Sequence, residues 1–178
     1  MKHIILTILT LITALSFAQE QDKKALLAAQ KKANNYVYEG NNLIGEDDFV
    51  TAEMEYRKAI SEQSTSVAGI YNLGNSYFKK GSFEEALYRL DQAAKTSTSK
   101  EEKHKAFHNI GNILMQNKKC KEAVEAYKNA LRNDPADEET RYNLGLAKVC
   151  AEQQKDKQDD KKDQDKKDQD KKEGDDKK

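Results

Sequence analysis

Residues 71–86 read Tyr-Asn-Leu-Gly-Asn-Ser-Tyr-Phe-Lys-Lys-Gly-Ser-Phe-Glu-Glu-Ala, and small residues of this stretch return along the chain. A glycine column contains Gly40, Gly74, Gly111 and Gly145, at spacings of 34, 37 and 34 residues. Two alanine columns keep the same offsets, Ala52 with Ala86 and Ala123, and Ala59 with Ala93 and Ala130. Such a period predicts repeated helix pairs, with the small residues where two backbones cross closely.

This stretch and a second one, residues 122–135 (Glu-Ala-Val-Glu-Ala-Tyr-Lys-Asn-Ala-Leu-Arg-Asn-Asp-Pro), resemble tetratricopeptide repeats (TPRs). The resemblance implies an all-α fold, a TPR helix-turn-helix solenoid of about 3.5 repeats and about seven helices. One helix pair cannot cover its own apolar face, so neighbouring repeats must stack. Within a TPR domain at residues 19–154 we place the repeats at 33–66, 67–103 and 104–137, with a capping half repeat at 138–154.

Capping sequences mark the predicted helix starts. Ser82 and Ser99 are each followed three residues later by a glutamate, which makes a capping box. Asp134 precedes Pro135, a pattern typical of a cap residue followed by a proline in the first helical turn. We therefore expect helices to begin just after Ser82, Ser99 and Asp134.

The first 18 residues differ from the rest of the chain. Lys2 and His3 precede an apolar run at residues 4–17, and Ser16-Phe17-Ala18 has the small residues that signal peptidase requires. This run is shorter than the roughly 20 residues of a membrane-spanning helix. We predict a signal peptide (residues 1–18) cleaved after Ala18, and an exported, periplasmic protein. The alternative is an uncleaved N-terminal anchor.

Residues 155–178 contain ten Lys, nine Asp, one Glu and no apolar side chain. No buried apolar surface would offset the entropy lost on ordering this segment, so we predict a disordered Lys/Asp/Gln tail. Because the two signs alternate closely, a solvated spacer is favoured; a charged contact with lipid headgroups or with a partner is the alternative.

The composition argues against several functions. The chain has 31 basic and 31 acidic residues, so its charge does not indicate a nucleic-acid partner. No motif pairs a nucleophile with a base, so we predict no enzyme activity, no catalytic residues, no cofactor and no small-molecule substrate. His104 and His108 are one helical turn apart, but zinc needs three or four ligands and the sequence places no third one nearby. We therefore predict no metal site, and interpret the pair as one surface and one groove residue.

Cys120 and Cys150 would meet an oxidising compartment in an exported chain. Cys120 begins the second helix of the third repeat and Cys150 ends the next helix, so the two could approach each other. A disulfide between them would stabilise the fold by roughly 3 to 4 kcal/mol. The alternative is two small apolar side chains, because Cys120 occupies the column of Phe49 and Phe83. Both interpretations remain open, since the sequence does not give the Cα separation.

In the proteins that this chain resembles, the first helix of each repeat lines a concave groove. By register, this face alternates amide side chains with rings. Asn carries both a donor and an acceptor, so a row of Asn can pair with an extended peptide backbone while rings cover its side chains. The predicted partner-binding residues are Tyr38, Asn41, Tyr71, Asn72, Asn75, Phe78, Lys105, His108, Asn109, Asn112, Tyr142 and Asn143. The alternative is that several of these Asn follow the repeat pattern and cap local polar groups.

Some TPR proteins clamp a C-terminal carboxylate with two Asn and three basic residues. The resemblance places Asn41, Asn72 and Lys105 at three of these five positions, while Val37 and Asn109 replace the other two basic residues. The carboxylate would be only partly neutralised, so the resemblance to the clamp is incomplete. A carboxylate-clamp adaptor remains an alternative function.

The signal, the repeats, the ending Glu139-Thr-Arg-Tyr-Asn-Leu-Gly-Leu-Ala147 and the charged tail are together similar to the small exported TPR proteins of Bat aerotolerance operons. This resemblance implies membrane-associated partners that carry von Willebrand factor A domains. We predict a non-catalytic scaffold in the cell envelope that binds a partner polypeptide in its concave groove. Self-assembly through a solenoid end face near Leu144 and Val149 is the alternative, and the sequence does not give the oligomeric state.

Overall fold

The computed structural model describes the backbone of residues 2–175 and the side chains of Phe17 and residues 19–157. Seven helices and no strand are present in this part of the chain. They are α1 (Lys2–Gly45), α2 (Phe49–Glu62), α3 (Val67–Lys79), α4 (Phe83–Thr96), α5 (Lys100–Gln116), α6 (Cys120–Asn133) and α7 (Glu138–Asp175). The prediction of an all-α fold with about seven helices is confirmed for the described residues.

The chain divides into two compact units, an N-terminal unit (Met1–Arg89) and a C-terminal unit (Leu90–Lys178). In the N-terminal unit, α1 packs along α2, and α3 contacts both. In the C-terminal unit, α5 packs along α6, and α7 contacts both. Each unit therefore contains one helix pair that the next helix contacts, and the division between the units falls within α4.

The predicted small-residue columns lie at the helix crossings. All six alanines of the two columns are at most 1% exposed. A Cβ atom added to Gly40 would lie 2.6 Å from Tyr56 Cε1, and one added to Gly111 would lie 2.4 Å from Tyr127 Cε1. Only a glycine lets the tyrosine ring of the second helix approach the backbone of the first so closely. Gly145 differs, because a Cβ there would meet nothing within 4 Å.

Side-chain caps fix most helix starts. The Ser99 hydroxyl accepts a hydrogen bond from the backbone N–H of Glu102, as the capping box predicts. The start predicted after Asp134 is wrong. Asp134 accepts from the Ala136 N–H within a turn, whereas Asp137 accepts from the Thr140 N–H at 2.8 Å and caps α7, which begins three residues after the proline.

The two ends of the chain are helical as far as they are described. The predicted signal peptide lies, apart from the Phe17 side chain, outside the residues whose side chains are described. None of the described helices combines the length and the apolarity needed to cross a bilayer. The predicted disorder of residues 155–178 is not confirmed, because α7 continues to Asp175.

Candidate functional site

The N-terminal unit fixes Asn41 through two hydrogen bonds. The Tyr56 hydroxyl donates to Asn41 Oδ1 at 2.8 Å, and Asn72 Nδ2 donates to the same oxygen at 2.9 Å. These three residues lie on α2, α1 and α3, so the cluster joins the helix pair to the helix that follows it. Tyr56 is only 2% exposed and its ring packs over Gly40, which aims its hydroxyl at Asn41.

The C-terminal unit repeats this arrangement around Asn112. The Tyr127 hydroxyl donates to Asn112 Oδ1 at 2.7 Å, and Asn143 Nδ2 approaches the same oxygen at 3.4 Å. Sequence separations of 15 and 31 residues are shared by the two clusters. Tyr127 is 1% exposed and packs over Gly111. We call the two sets, Tyr56–Asn41–Asn72 and Tyr127–Asn112–Asn143, the Asn41 cluster and the Asn112 cluster.

These bonds decide what each central Asn can offer to a ligand. A carbonyl oxygen has two lone pairs, and in both clusters two donors occupy them. Asn41 and Asn112 are therefore left with the N–H donors of Nδ2, which suit a carbonyl oxygen of a partner backbone. Desolvation by burial raises the pKa of Tyr56 and of Tyr127 to about 12, so both tyrosines stay protonated donors at neutral pH.

A cavity of about 190 Å³ opens beside the Asn41 cluster. It is lined by Asn41, Ile44, Tyr56, Asn72, Asn75, Ser76 and Lys79. Among the described residues, the Ser76 hydroxyl is a buried side-chain group without a hydrogen-bond partner. Amide and hydroxyl groups next to one apolar and one aromatic side chain form a site of the mixed polarity that a peptide segment requires.

The other predicted binding residues fall into two groups. Tyr38 and Tyr142 are 64% and 68% exposed, so their rings are accessible to a partner. Phe78 instead lies against the Phe83 ring, with 6.1 Å between centroids, and Lys105 forms an ion pair with Glu101 at 2.5 Å. Tyr71, Asn75 and Asn109 are half-buried and take part in interactions within the chain.

Sequence reasoning missed the part that tyrosine hydroxyls play in these sites. Tyr56 and Tyr127 stand in one column of large residues in the repeat, and each hydroxyl also holds a groove amide in place. The available signal was a tyrosine 15 residues after an Asn in two of the repeats. Leu90 stands in this column in the middle repeat, so packing alone does not require a hydroxyl there.

A second network in the N-terminal unit was also missed. Tyr77 donates to Glu53 at 2.9 Å, and Arg57 contacts both the carboxylate and the Tyr77 oxygen. Desolvation by burial raises the pKa of Glu53, but hydrogen bonds from Arg57 and Tyr77 outweigh it, so the pKa of Glu53 lies below its usual value. This network ties α2 to α3 and holds their relative positions.

His104 and His108 of α5 lie beside the start of α7. His104 Nδ1 is 3.1 Å from the Ala130 carbonyl oxygen, and its Nε2 is 3.5 Å from Asp137 Oδ2. His108 Nδ1 is 2.6 Å from the Thr140 hydroxyl. The structure thus supplies a neighbouring carboxylate that the sequence did not place. Hydrogen bonding from Thr140 lowers the pKa of Asp137, so the group is an anion at neutral pH.

The position of Val37 bears on the carboxylate-clamp alternative. Val37 is buried in a cluster with Ala33 and Ala59, with Tyr36 packed against it. A basic side chain is therefore absent from this clamp position, and the place is filled by core packing. The Asn41 oxygen is also already engaged.

Cys120 and Cys150 form a disulfide, with a Cα separation of 5.8 Å. This separation lies within the range that a disulfide spans without backbone movement. The bond joins the first residue of α6 to α7 within the C-terminal unit.

Helix pairs with glycine and alanine at their crossings are typical of TPR domains, and residues 111–149 match the family model described as "TPR repeat". The chain therefore has the TPR fold and carries a TPR sequence motif. Folds of this class present extended surfaces for protein interaction.

Two curated proteins and one solved structure show how far the likeness extends. The type IV pilus assembly protein PilF of Pseudomonas aeruginosa is 33% identical over 81 residues, 46% of this chain and 32% of PilF. The small glutamine-rich tetratricopeptide repeat-containing protein 2 of Mycosarcoma maydis is 28% identical over 117 residues, 66% of this chain and 32% of the relative. The chain thus spans about a third of the length of these curated relatives.

Among solved structures, the first TPR of Spaghetti (RPAP3) bound to the HSP90 peptide SRMEEVD superposes with a TM-score of 0.63 and 20% identity. The match covers 68% of this chain and 94% of that one. At this identity the likeness concerns the fold.

Proposed function

We propose that this protein is a non-catalytic scaffold that binds an extended polypeptide on the groove faces of its TPR helices. The observation that carries the proposal is the Tyr–Asn–Asn cluster, which occurs in both units with the same spacing and the same donors. In each cluster the hydroxyl of a buried tyrosine donates to one amide and orients it. The oriented N–H donors then face a ligand without a further loss of side-chain entropy on binding.

The chemistry of the neighbouring side chains supports a peptide ligand. Exposed Tyr38 and Tyr142 supply ring area near each cluster along the same helices, α1 and α7. A peptide backbone presents a carbonyl oxygen at every residue, which matches donors fixed at intervals along a groove. The structures of TPR domains with peptides, such as the Spaghetti domain with its HSP90 peptide, are consistent with this use of the fold.

The decisive variants are Asn41→Asp and Asn112→Asp, tested one at a time. Asp has the same shape and keeps an oxygen that accepts from the tyrosine and from the second Asn. It replaces the N–H donors with an acceptor oxygen. Peptides selected for the wild-type protein from a displayed random library should therefore bind about tenfold more weakly or worse to one or both variants.

Matched controls carry the same Asn-to-Asp change at residues that are not members of the clusters. Asn42→Asp lies next to Asn41 on an exposed position of α1, and Asn129→Asp on α6 keeps an acceptor for Arg132. Both controls should bind the selected peptides like the wild type. Equal loss in variants and controls, or no loss in either cluster variant, would refute the groove assignment. Amidation of the peptide C-terminus should change little; a large loss would favour the carboxylate clamp.

We also propose, on the resemblance to the Bat operon proteins, an exported protein of the cell envelope with a von Willebrand factor A domain partner. Photoreactive amino acids at Tyr38 and Tyr142 would test the partner in intact cells, because both rings are exposed. Crosslinks to a protein with that domain, reduced by Asn41→Asp or Asn112→Asp, are expected. A mature chain from the envelope should begin at Gln19; a chain from the envelope that retains residues 1–18 would favour the uncleaved anchor.

Self-assembly is a second candidate because α7 exposes apolar side chains. Leu146 and Val149 are 46% and 54% exposed, and Leu144 is half-buried. A second copy of this chain could cover them. Sedimentation of the wild type and of Val149→Lys should then differ at micromolar concentration, whereas a concentration-independent monomer would exclude this function.

A further inference from the structure

A cluster of metal-ligating side chains lies in the C-terminal unit, and His108 is its one member among the predicted groove residues. His104 and His108 face Asp137, and one ligand atom of each of the three lies within 4.8 Å of the others. The three residues are half-buried, with side-chain exposures of 12%, 14% and 28%. They come from α5 and from the residue that caps α7, so any ion held here would join these two helices.

The hydrogen bond of His104 determines which ring nitrogen is available. A carbonyl oxygen only accepts, so the Ala130 oxygen at 3.1 Å places a hydrogen on Nδ1. In the neutral ring, the lone pair of Nε2 then faces Asp137 Oδ2 at 3.5 Å. Two acceptors that face each other in a half-buried site need a cation or a proton between them. A histidine whose second nitrogen donates to a backbone carbonyl is also the usual arrangement of a metal ligand.

His108 is held in a comparable way. Its Nδ1 lies 2.6 Å from the hydroxyl of Thr140, whose side chain is fully buried and whose N–H is bonded to Asp137. The other ring nitrogen, Nε2, lies 3.5 Å from Glu139 Oε1. Glu139 is 73% exposed, so its carboxylate has freedom to turn toward an ion. Thr140 thus positions one ring and one carboxylate of the cluster together.

The donor set selects a class of ion. Two imidazole nitrogens with one or two carboxylates suit zinc and other divalent transition metals, whereas Mg²⁺ and Ca²⁺ prefer oxygen ligands alone. Tetrahedral zinc needs ligand atoms about 3.3 Å apart, which follows from metal–ligand distances of about 2.0–2.1 Å. The ligand atoms of His104, His108 and Asp137 now lie within 4.8 Å of one another, so small side-chain rotations are needed to bring them to the spacing of zinc ligands.

We propose that the C-terminal unit binds a divalent transition-metal ion, in the first place zinc, through His104, His108 and Asp137. Glu139 or a water molecule supplies the fourth ligand. The ion stabilises the attachment of α7 to α5 and leaves the Asn112 cluster intact, although the His108 ring lies beside the Tyr127 ring, with 6.0 Å between centroids.

The test is calorimetric titration of ZnCl₂ into the full chain, free of any purification tag, stripped of metal and with its disulfide formed. We expect one zinc ion per chain and a rise of about 5 °C in melting temperature at saturating zinc. Mg²⁺ and Ca²⁺ should give neither. Co²⁺ in place of zinc should show the intense visible absorption of a four-coordinate ion.

Two variants separate binding from folding. Asp137→Asn keeps the cap on the Thr140 N–H, because Asn is as good a cap as Asp, but it removes the anionic ligand. His104→Gln removes a ring ligand. Each should weaken zinc binding by at least about tenfold. Asp134→Asn, a carboxylate of the same turn outside the cluster, and His3→Gln, the remaining histidine of the chain, should bind like the wild type.

Binding that is unchanged in Asp137→Asn and His104→Gln would overturn the proposal. So would the absence of zinc binding by a wild-type chain with a normal melting curve.

Discussion

The Asn41 cluster and the Asn112 cluster are alike in their bonds and differ in their surroundings. Both use a buried tyrosine hydroxyl and a second amide to fix one Asn. A small cavity of mixed polarity lies beside Asn41, and the same unit contains the Glu53–Arg57–Tyr77 network, whereas the unit of Asn112 contains the histidine pair and a disulfide. The repeated helix pair thus accounts for the shared cluster, and each unit has its own additional interactions that hold its helices together.

The largest expected difference between the units comes from the disulfide. Replacing both cysteines by alanine should reduce the free energy of unfolding of the C-terminal unit by about 3 to 4 kcal/mol, because the bond closes a loop of some 30 residues. Hydrogen exchange should show faster exchange of amides in α5 to α7 and unchanged exchange in α1 to α3. The control is reduction of the wild type, which should have the same effect. Two free thiols in protein isolated from its native compartment, or equal acceleration in both units, would contradict the prediction.

A smaller effect tests the feature that the units share. Gly111→Ala should destabilise the C-terminal unit by about 2 kcal/mol, because the new methyl group would lie 2.4 Å from the Tyr127 ring in a packed core. Gly40→Ala should act similarly on the N-terminal unit, through the Tyr56 ring.

Gly145→Ala is the matched control for both glycine variants. It adds the same methyl group where nothing lies within 4 Å, and it should stabilise the helix by about 0.5–1 kcal/mol. Urea unfolding of the three variants measures these changes. Destabilisation by Gly145→Ala of the same size would mean that close helix crossing is not why this column contains glycine.

The fold was predictable because small residues recur at spacings of 34, 37 and 34 residues, and residue size limits how closely two helices can cross. The candidate site was predictable only in part. Register places Asn41 and Asn112 on the equivalent faces of α1 and α5. It cannot show that a tyrosine on the next helix donates a hydrogen bond to each of their oxygens. Asp137 was missed for a similar reason: the start of α7 is decided by a side-chain bond to Thr140, and the Asp134–Pro135 pattern suggested an earlier start.

The smallest expected effect concerns alkaline pH and again tests the likeness of the two clusters. Burial raises the pKa of Tyr56 and Tyr127 to about 12, against about 10 in an unfolded chain. Burial, followed by the hydrogen bond to Glu53, also raises the pKa of Tyr77 in the N-terminal unit. Between pH 10 and about 12 the unfolded state therefore binds fewer protons than the folded state, so the free energy of unfolding should fall as pH rises.

Below the unfolded pKa of about 10 this contribution is fully present and should not change with pH. Tyr127→Phe should lower stability at neutral pH by about 1 kcal/mol, through loss of the hydrogen bond to Asn112, and should flatten the alkaline decline of the C-terminal unit. Tyr56→Phe should reduce the decline of the N-terminal unit only in part, because Tyr77 also contributes there, and Tyr142→Phe, an exposed ring, should leave the decline in place. Hydrogen exchange at a series of pH values, corrected for the intrinsic exchange rate, resolves the two units. If the alkaline decline of the C-terminal unit persisted unchanged in Tyr127→Phe, the Tyr127 hydroxyl would not be a buried donor, and the shared cluster would lose the tyrosine that orients its Asn.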